Sequence, residues 1–178
     1  MDTIQEGKKH LQIPVMMGFV LAAVKIICST IQFNYLLEDF KASYIIFFIS
    51  LGLGFILIAS SGIMQKKRLG EDAILKHVFR GIFLTILIGI FLSYTFEQVW
   101  MYADSSIAER IHKGQISYLK SYPNPAAQLE KIEKQYAASK NAPFSFVNFF
   151  TGLMVDIVRY SILGFIFALA ISRKKQVQ

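Results

Sequence analysis

Two opposite charges interrupt an apolar segment near the end of the chain, GLMVDIVRYSILG at 152–164. Asp156 and Arg159 are three residues apart and therefore share one side of a helix. Lys25 and Glu97 lie within other apolar runs. A charge at the centre of a bilayer costs about 2.5–3.5 kcal/mol, so the four residues should face the inside of a helix bundle and pair. Their charges sum to zero, which predicts a neutral intramembrane cluster.

Three interpretations of this cluster stay open. The charges could lock the register of the helices, or line a path for protons, ions or a solute, or Lys25 could pair with a charge on a partner subunit. The sequence contains no GxSxG, HExxH or P-loop motif, and its three histidines stand alone. This pattern predicts a non-enzymatic protein without a metal site and without a cofactor.

The charged residues lie on long apolar segments. The chain has 178 residues, 54% of them hydrophobic and 17% charged, and a mean hydropathy of +0.45. Although the formal charge is +7, this composition favours a membrane protein over a nucleic-acid-binding one. Because about 20 apolar residues cross a bilayer as a helix, the sequence predicts an all-α integral membrane four-helix bundle. It forms a single domain over 1–178, with spans at about 12–36, 43–64, 81–101 and 144–172.

The first span competes with a signal peptide, because Lys8 and Lys9 precede its apolar run. Lys25 directly follows the segment 22–24, which makes a poor cleavage context, so a retained span is favoured. The single cysteine, Cys28, excludes an intrachain disulfide and is typical of a small buried hydrophobic residue.

Small and polar residues recur at intervals of about four along all four spans. Small residues allow helices to approach closely, and polar groups can bond across the contact. These stripes therefore predict the faces on which the helices pack, and the charged residues lie on the same faces. The predicted packing residues are Gly18, Ala22, Ser50, Gly54, Gly89, Ser93, Gly152 and Gly164.

Basic residues are distributed unevenly between the two sides. The N-terminal segment, the loop after span two and the C-terminal tail hold ten in about 33 positions, against seven in about 48 on the other side. Since the basic side is cytoplasmic, both termini should lie in the cytoplasm, with the protein in a bacterial cytoplasmic (inner) membrane. Five aromatic residues at the outer ends of the spans would form an interfacial belt: Tyr35, Tyr44, Tyr94, Trp100 and Tyr102.

The loop between spans three and four, 103–142, should fold into an extracytoplasmic amphipathic helical hairpin. Ser106 and Glu109 fit a capping box at the start of its first helix. The segment SYPNP at 121–125 ends that helix, and Asn124 can cap the next one. Such a hairpin could simply cover the bundle, or it could offer a docking platform to a partner.

Several features follow one another in a characteristic order. QKKRLGED at 65–72 closes the second span, GIFL at 81–84 begins the third, PNPAAQLEKIEKQY at 123–136 lies in the outer loop, and SRKK at 172–175 ends the fourth. In this order the chain resembles, over nearly its whole length, a family of small bacterial membrane proteins catalogued as domain of unknown function four-one-nine-nine. The resemblance implies a four-span fold and neither an activity nor site residues.

Two functional hypotheses follow. The first is a structural or accessory subunit in the lipid bilayer that binds itself or another membrane protein, and no nucleic acid. The hairpin and the small-residue stripes favour it. The second is a small oligomeric transporter or channel that uses the intramembrane charges.

Overall fold

The computed structural model describes residues 2–70, 73–122, 125–140 and 144–172, of which 2–10 and 139–140 are described by backbone alone. These residues form α-helices and one π-helical turn, with no strand among them. The predicted all-α class is confirmed. The helices are α1 (Asp2–Ile31), followed by the π-turn (Gln32–Leu36), α2 (Phe40–Leu69), α3 (Leu75–Ala103), α4 (Ser106–Leu119), α5 (Ala126–Lys140) and α6 (Phe146–Ser172).

Four of the described helices are long and apolar enough to cross a membrane: α1 from Leu11 together with the π-turn, α2, α3 and α6. The chain is therefore a multi-pass membrane protein. Three of these helices, α1, α2 and α3, extend beyond the predicted apolar spans, because polar residues continue them. Lys66, Lys67 and Arg68 form the last turn of α2, where cations interact favourably with the helix dipole.

Helix α3 lies at the centre of the bundle and contacts α1, α2 and α6. Ile82, Ile86 and Ile90 of α3 are buried together with Leu21 of α1 and Ile58 of α2. These residues recur at helical spacing, so one apolar stripe of α3 faces its neighbours. The resulting core fixes the rotation of each helix about its axis.

Two glycines allow α1 and α3 to approach closely. A Cβ at Gly89 would lie 2.5 Å from Leu21 Cδ2, and a Cβ at Gly18 would lie 2.8 Å from Ile88 Cβ. Both distances are below van der Waals contact, so no larger residue fits at either position without moving the partner helix. Gly18 belongs to α1 and Gly89 to α3, so each helix contributes one glycine to the contact between them.

The other predicted packing residues have different surroundings. Ala22 and Ser93 are buried, a Cβ at Gly164 would lie 2.7 Å from Ile86 Cδ1, and Gly152 lies against the hydroxyl of Tyr94. The α2 pair is looser. Gly54 has room for a Cβ at 3.6 Å from Leu21, and Ser50 is only half-buried.

A polar junction that the sequence did not reveal joins three spans. The Thr85 hydroxyl donates to the Pro14 carbonyl at 3.0 Å and lies 2.7 Å from Ser61 Oγ. Since Thr85 has one hydroxyl proton, Ser61 donates to Thr85 when Thr85 donates to Pro14. All three side chains are buried, so this chain of hydrogen bonds satisfies polar atoms that water cannot reach.

Arg110 attaches α4 to the end of the first span. Its Nη1 donates to the Phe33 carbonyl at 2.9 Å and its Nη2 to the Asn34 carbonyl at 3.1 Å. Its Nε lies 3.5 Å from Glu38 Oε1. The last carbonyls of a helix have no hydrogen-bond donor within the helix. Here one guanidinium donates to two of these carbonyls.

A close backbone contact strengthens this attachment. Gly114 of α4 lies against the Leu37 carbonyl, while Ile107 is buried with Phe33 and Leu37. Helix α5 in turn packs on α4. We call the end of the bundle that carries α4 and α5 the hairpin end.

The predicted capping box at Ser106 and Glu109 is wrong. Helix α4 begins at Ser106, and the preceding Ser105 makes no side-chain capping bond. Instead the Ser106 N–H donates to the Asp104 carboxylate at 3.0 Å, which places a negative charge at the helix N-terminus. Hydrogen bonds from the hydroxyl and N–H of Ser106 lower the pKa of the Asp104 carboxyl. The predicted cap Asn124 lies outside the described residues.

Gly89→Ala should destabilise the bundle by about 1–3 kcal/mol, because the new methyl group forces Leu21 out of its packed position. Unfolding in detergent can be followed with a thiol-reactive dye, since Cys28 is buried and becomes reactive when the bundle opens. Gly52→Ala is the matched control, because a Cβ there meets no atom within 4 Å. It should leave the melting temperature unchanged or slightly raised. Equal effects at both positions would contradict close packing at Gly89.

Arg110→Gln should release α4 from the π-turn, because two charge-assisted hydrogen bonds are lost, each contributing about 1.5–3 kcal/mol. Hydrogen exchange should accelerate in 106–119 and in 32–39, with the spanning helices unchanged. Lys131→Gln, which removes an exposed cation from α5, serves as the control. Unchanged exchange in Arg110→Gln would show that apolar packing alone holds α4.

Candidate functional site

Lys25 lies on the side of α1 that faces α6. Its Nζ donates to the Tyr160 hydroxyl at 3.2 Å and stands 5.2 Å from the centre of the same ring. An ammonium group over an aromatic face is stabilised by the ring quadrupole. In the described part of the chain Lys25 belongs to none of the ion pairs. A neutral aromatic residue is therefore its principal partner.

Glu97 lies on α3 and is bound by α1. Its Oε1 accepts a hydrogen bond of 2.5 Å from the Ser29 hydroxyl, one helical turn beyond Lys25. Lys25 and Asp156 both lie within electrostatic range of this carboxylate, the first attracting it and the second repelling it. Three helices thus bring one cation and two acids into the same region of the bundle.

Asp156 and Arg159 form an ion pair along α6. One Asp156 oxygen lies 3.4 Å from Arg159 Nη1, and the two side chains are 35% and 73% exposed respectively. This single contact is long for a charge-assisted hydrogen bond. The pair therefore connects the interior of the bundle, where Asp156 is partly buried, to its surface.

Arg159 does not face the bundle, so the expectation that all four charges point inward is wrong for this residue. The cause is the rotation of α6, which turns Leu153, Ile157 and Gly164 inward. At about 100° per residue, Arg159 lies roughly 160° around the helix from Ile157. The inward positions pack on α3, and the guanidinium is left on the opposite, lipid-facing side.

The four predicted charges therefore divide into two groups. Lys25, Glu97 and Asp156 form an inner group with a formal charge of minus one, and Arg159 carries the compensating charge on the surface. Sequence spacing did not identify Ser29 and Tyr160 as the partners of Glu97 and Lys25. Both residues lie on the small and polar stripes, which is the signal that could have found them.

The outward face of α6 that carries Arg159 is otherwise mainly apolar. Val155, Ile162 and Ile166 are exposed on it, and the exposed Asn148 lies three turns from Arg159 towards the hairpin end. Apolar side chains are expected where a helix faces lipid tails. Arg159 is the exception near the middle of this face.

Two clefts of about 300 Å³ each lie at the hairpin end, away from the charged residues. One lies between α4 and α5, where His112 and Tyr136 stack with ring centres 4.0 Å apart. The other lies beside the π-turn and is lined by Phe40, Tyr44 and other residues. None of the four intramembrane charges lines either cleft.

Within the described ranges, no three His, Cys, Asp or Glu side chains are grouped so that they could hold a metal ion. Comparison of the chain with protein-family models, with curated proteins and with solved structures gives no match. The class of protein that fold and site define is thus a small multi-pass helical membrane protein with a divided intramembrane charge group. Membership of the family that the chain resembles stays a prediction.

Tyr160→Phe should lower stability by about 1–2 kcal/mol, because Lys25 loses its hydroxyl acceptor in a partly buried contact between helices. A double-mutant cycle with Lys25→Met, read by thermal unfolding, isolates this interaction. Tyr102→Phe, which removes a hydroxyl from an exposed tyrosine, should have no effect. A coupling energy of zero between Tyr160 and Lys25 would contradict the contact.

Proposed function

We propose that the protein is a non-enzymatic structural or accessory subunit that acts by lateral association of its spanning helices with another membrane protein or with itself. The observation that carries this proposal is the position of Arg159. Its guanidinium lies on the outward face of α6, 73% exposed, in a helix that is otherwise apolar on that side.

The position of Arg159 along the helix strengthens the argument. It is thirteen residues from Phe146 and thirteen from Ser172, the two ends of α6. At 1.5 Å per residue each end is about 20 Å away. The hydrocarbon core of a bilayer is about 30 Å thick and extends about 15 Å to either side of its centre, so a helix that spans it evenly places Arg159 near the middle. A charge in this position is costly to expose to lipid. A second protein that covers α6 and supplies hydrogen-bond acceptors removes that cost.

The inner group supports the same function in a different way. Lys25 links α1 to α6 through Tyr160, and Glu97 links α3 to α1 through Ser29. Such contacts fix the register of neighbouring helices. The inner charges then hold the bundle in the rotation that directs Arg159 outward, which is a locking role.

We place the protein in a bacterial cytoplasmic membrane with both termini in the cytoplasm. Lys66, Lys67 and Arg68 at the end of α2, with Lys76 and Arg80 in the first turns of α3, support this orientation because basic residues remain on the cytoplasmic side. The hairpin end would then face away from the cytoplasm. The resemblance to the four-span bacterial family agrees with this assignment.

A second candidate function is transport by an oligomer. It is favoured by Lys25 and Glu97, which form no ion pair within the described residues although both lie in a membrane-spanning bundle. An acid without a cation at close range can titrate and carry protons. Proton or ion flux into liposomes that falls with Glu97→Gln while folding is retained would favour this candidate over the first.

Arg159→Gln should weaken association by about tenfold or more, because the charge that a partner neutralises is gone. The thermal stability of the single chain should change little, since the lost contact with Asp156 is single and long while less charge faces lipid. Association can be measured from particle size in lipid nanodiscs and from single-molecule photobleaching in vesicles. Arg80→Gln removes another exposed arginine, near the start of α3, and is the matched control. Association that is insensitive to Arg159 would contradict the proposal.

A further inference from the structure

We infer that the outward face of α6 binds a second copy of this chain. The two copies are related by a twofold axis along the membrane normal, and Arg159 of each pairs with Asp156 of the other. This inference rests on the proposed function and names its partner.

The face that would form the contact is a continuous stripe. Asn148, Val155, Arg159 and Ile166 follow one another at intervals of seven, four and seven residues. Because 3.6 residues make a turn, these intervals keep all four side chains within about 40° of one line along the helix. All four are exposed, and the stripe lies opposite the buried Ile157.

Charge complementarity selects a second copy over other occupants. Arg159 is 73% exposed on the stripe, and the 35% exposed Asp156 lies about 60° around the helix from it, at the edge of the same face. An interface about a twofold axis brings the same patch of two copies together, so two cations meet two carboxylates and the charges cancel. A foreign helix would have to supply its own acid at the same depth.

The ion pair within one chain uses only one of the hydrogen-bond donors of Arg159. A guanidinium has five N–H donors, and in the described structure only Nη1 donates, to one oxygen of Asp156. The second Asp156 oxygen and the remaining Arg159 donors are available to another copy. Four such groups can then form a closed ring in which every charge has two partners, and hydrogen bonds between ionised groups are stronger than those between neutral ones.

The geometry of parallel helices allows this exchange. Asp156 lies three residues before Arg159, about 4.5 Å along the axis, and helix side chains lean towards the N-terminus. A twofold axis along the membrane normal keeps the two α6 helices parallel, so the depths of Asp156 and Arg159 match in both copies. The Arg159 side chain therefore leans towards the level of the neighbour's Asp156, across helix axes that pack about 8–10 Å apart.

Cysteine cross-linking tests the contact with the native charges in place. In a Cys28→Ser background, Val155→Cys and Ile166→Cys each place a thiol on the stripe beside Arg159. Ile56→Cys places one on the exposed face of α2 and is the matched control. In vesicles of phosphatidylethanolamine and phosphatidylglycerol, an oxidant should link most copies of the two stripe variants as dimers and leave the control monomeric. Equal cross-linking at Ile56 would overturn the assignment to α6.

A charge exchange between two differently tagged chains tests the reciprocal pairing. The Arg159→Asp chain carries acids at positions 156 and 159, and the Asp156→Arg chain carries arginines at both positions. Each alone should dimerise at least about tenfold more weakly than the unchanged chain, because like charges meet at the twofold axis. When the two chains are expressed together, mixed dimers should form at the unchanged level. Failure of the mixed pair to associate, with both chains folded, would overturn the reciprocal contact.

The outcomes separate this inference from the proposed function. If the unchanged chain is monomeric in vesicles but binds a foreign membrane protein in a manner that Arg159→Gln abolishes, the second copy is wrong and the accessory function stands. If the chain neither self-associates nor binds a partner through α6, both are wrong.

Discussion

The close contact between α1 and α3 determines where the other parts of the molecule lie. Leu21 of α1 packs against Gly89 of α3 at a distance that leaves no space for a side chain. In the same way, Ile88 of α3 packs against Gly18 of α1. Once the two helices lie this near, the Ser29 hydroxyl reaches Glu97 and the Thr85 hydroxyl reaches Pro14. Helix α3 then presents Ile82 and Ile86 to α6. The polar contacts between α1 and α3 thus depend on the close packing that the two glycines allow.

Much of this architecture could be predicted from local sequence. Four apolar segments of sufficient length predict four spanning helices, and residues spaced by four, such as Thr85, Gly89 and Ser93, share a face whatever the partner is. The direction of Arg159 could not be predicted in the same way. It depends on the rotation of α6, which packs Gly164 against α3, and most of the residues around Arg159 are apolar. An apolar residue on α6 gives no sign of whether it faces protein or lipid.

The partners of the inner charges were also beyond local patterns. Opposite charges attract more strongly where the dielectric constant is low, so the sequence predicts an ion pair of Lys25 with an acid. The structure instead gives Lys25 a tyrosine and Glu97 a serine. Each of these partners comes from a different helix and carries no charge, so one contact joins α1 to α6 and the other joins α1 to α3. At the hairpin, Arg110 likewise binds uncharged groups, two backbone carbonyls, in addition to its ion pair with Glu38.

The π-turn between α1 and α2 has a consequence for how this protein could have changed over time. In a π-turn the N–H of residue i+5 donates to the carbonyl of residue i, whereas in an α-helix the N–H of residue i+4 does, so a π-turn accommodates one additional residue without breaking the helix. The carbonyls of Phe33 and Asn34, to which Arg110 binds, lie within this turn. A change of one residue in the length of this segment would therefore alter both the turn and the attachment point of α4.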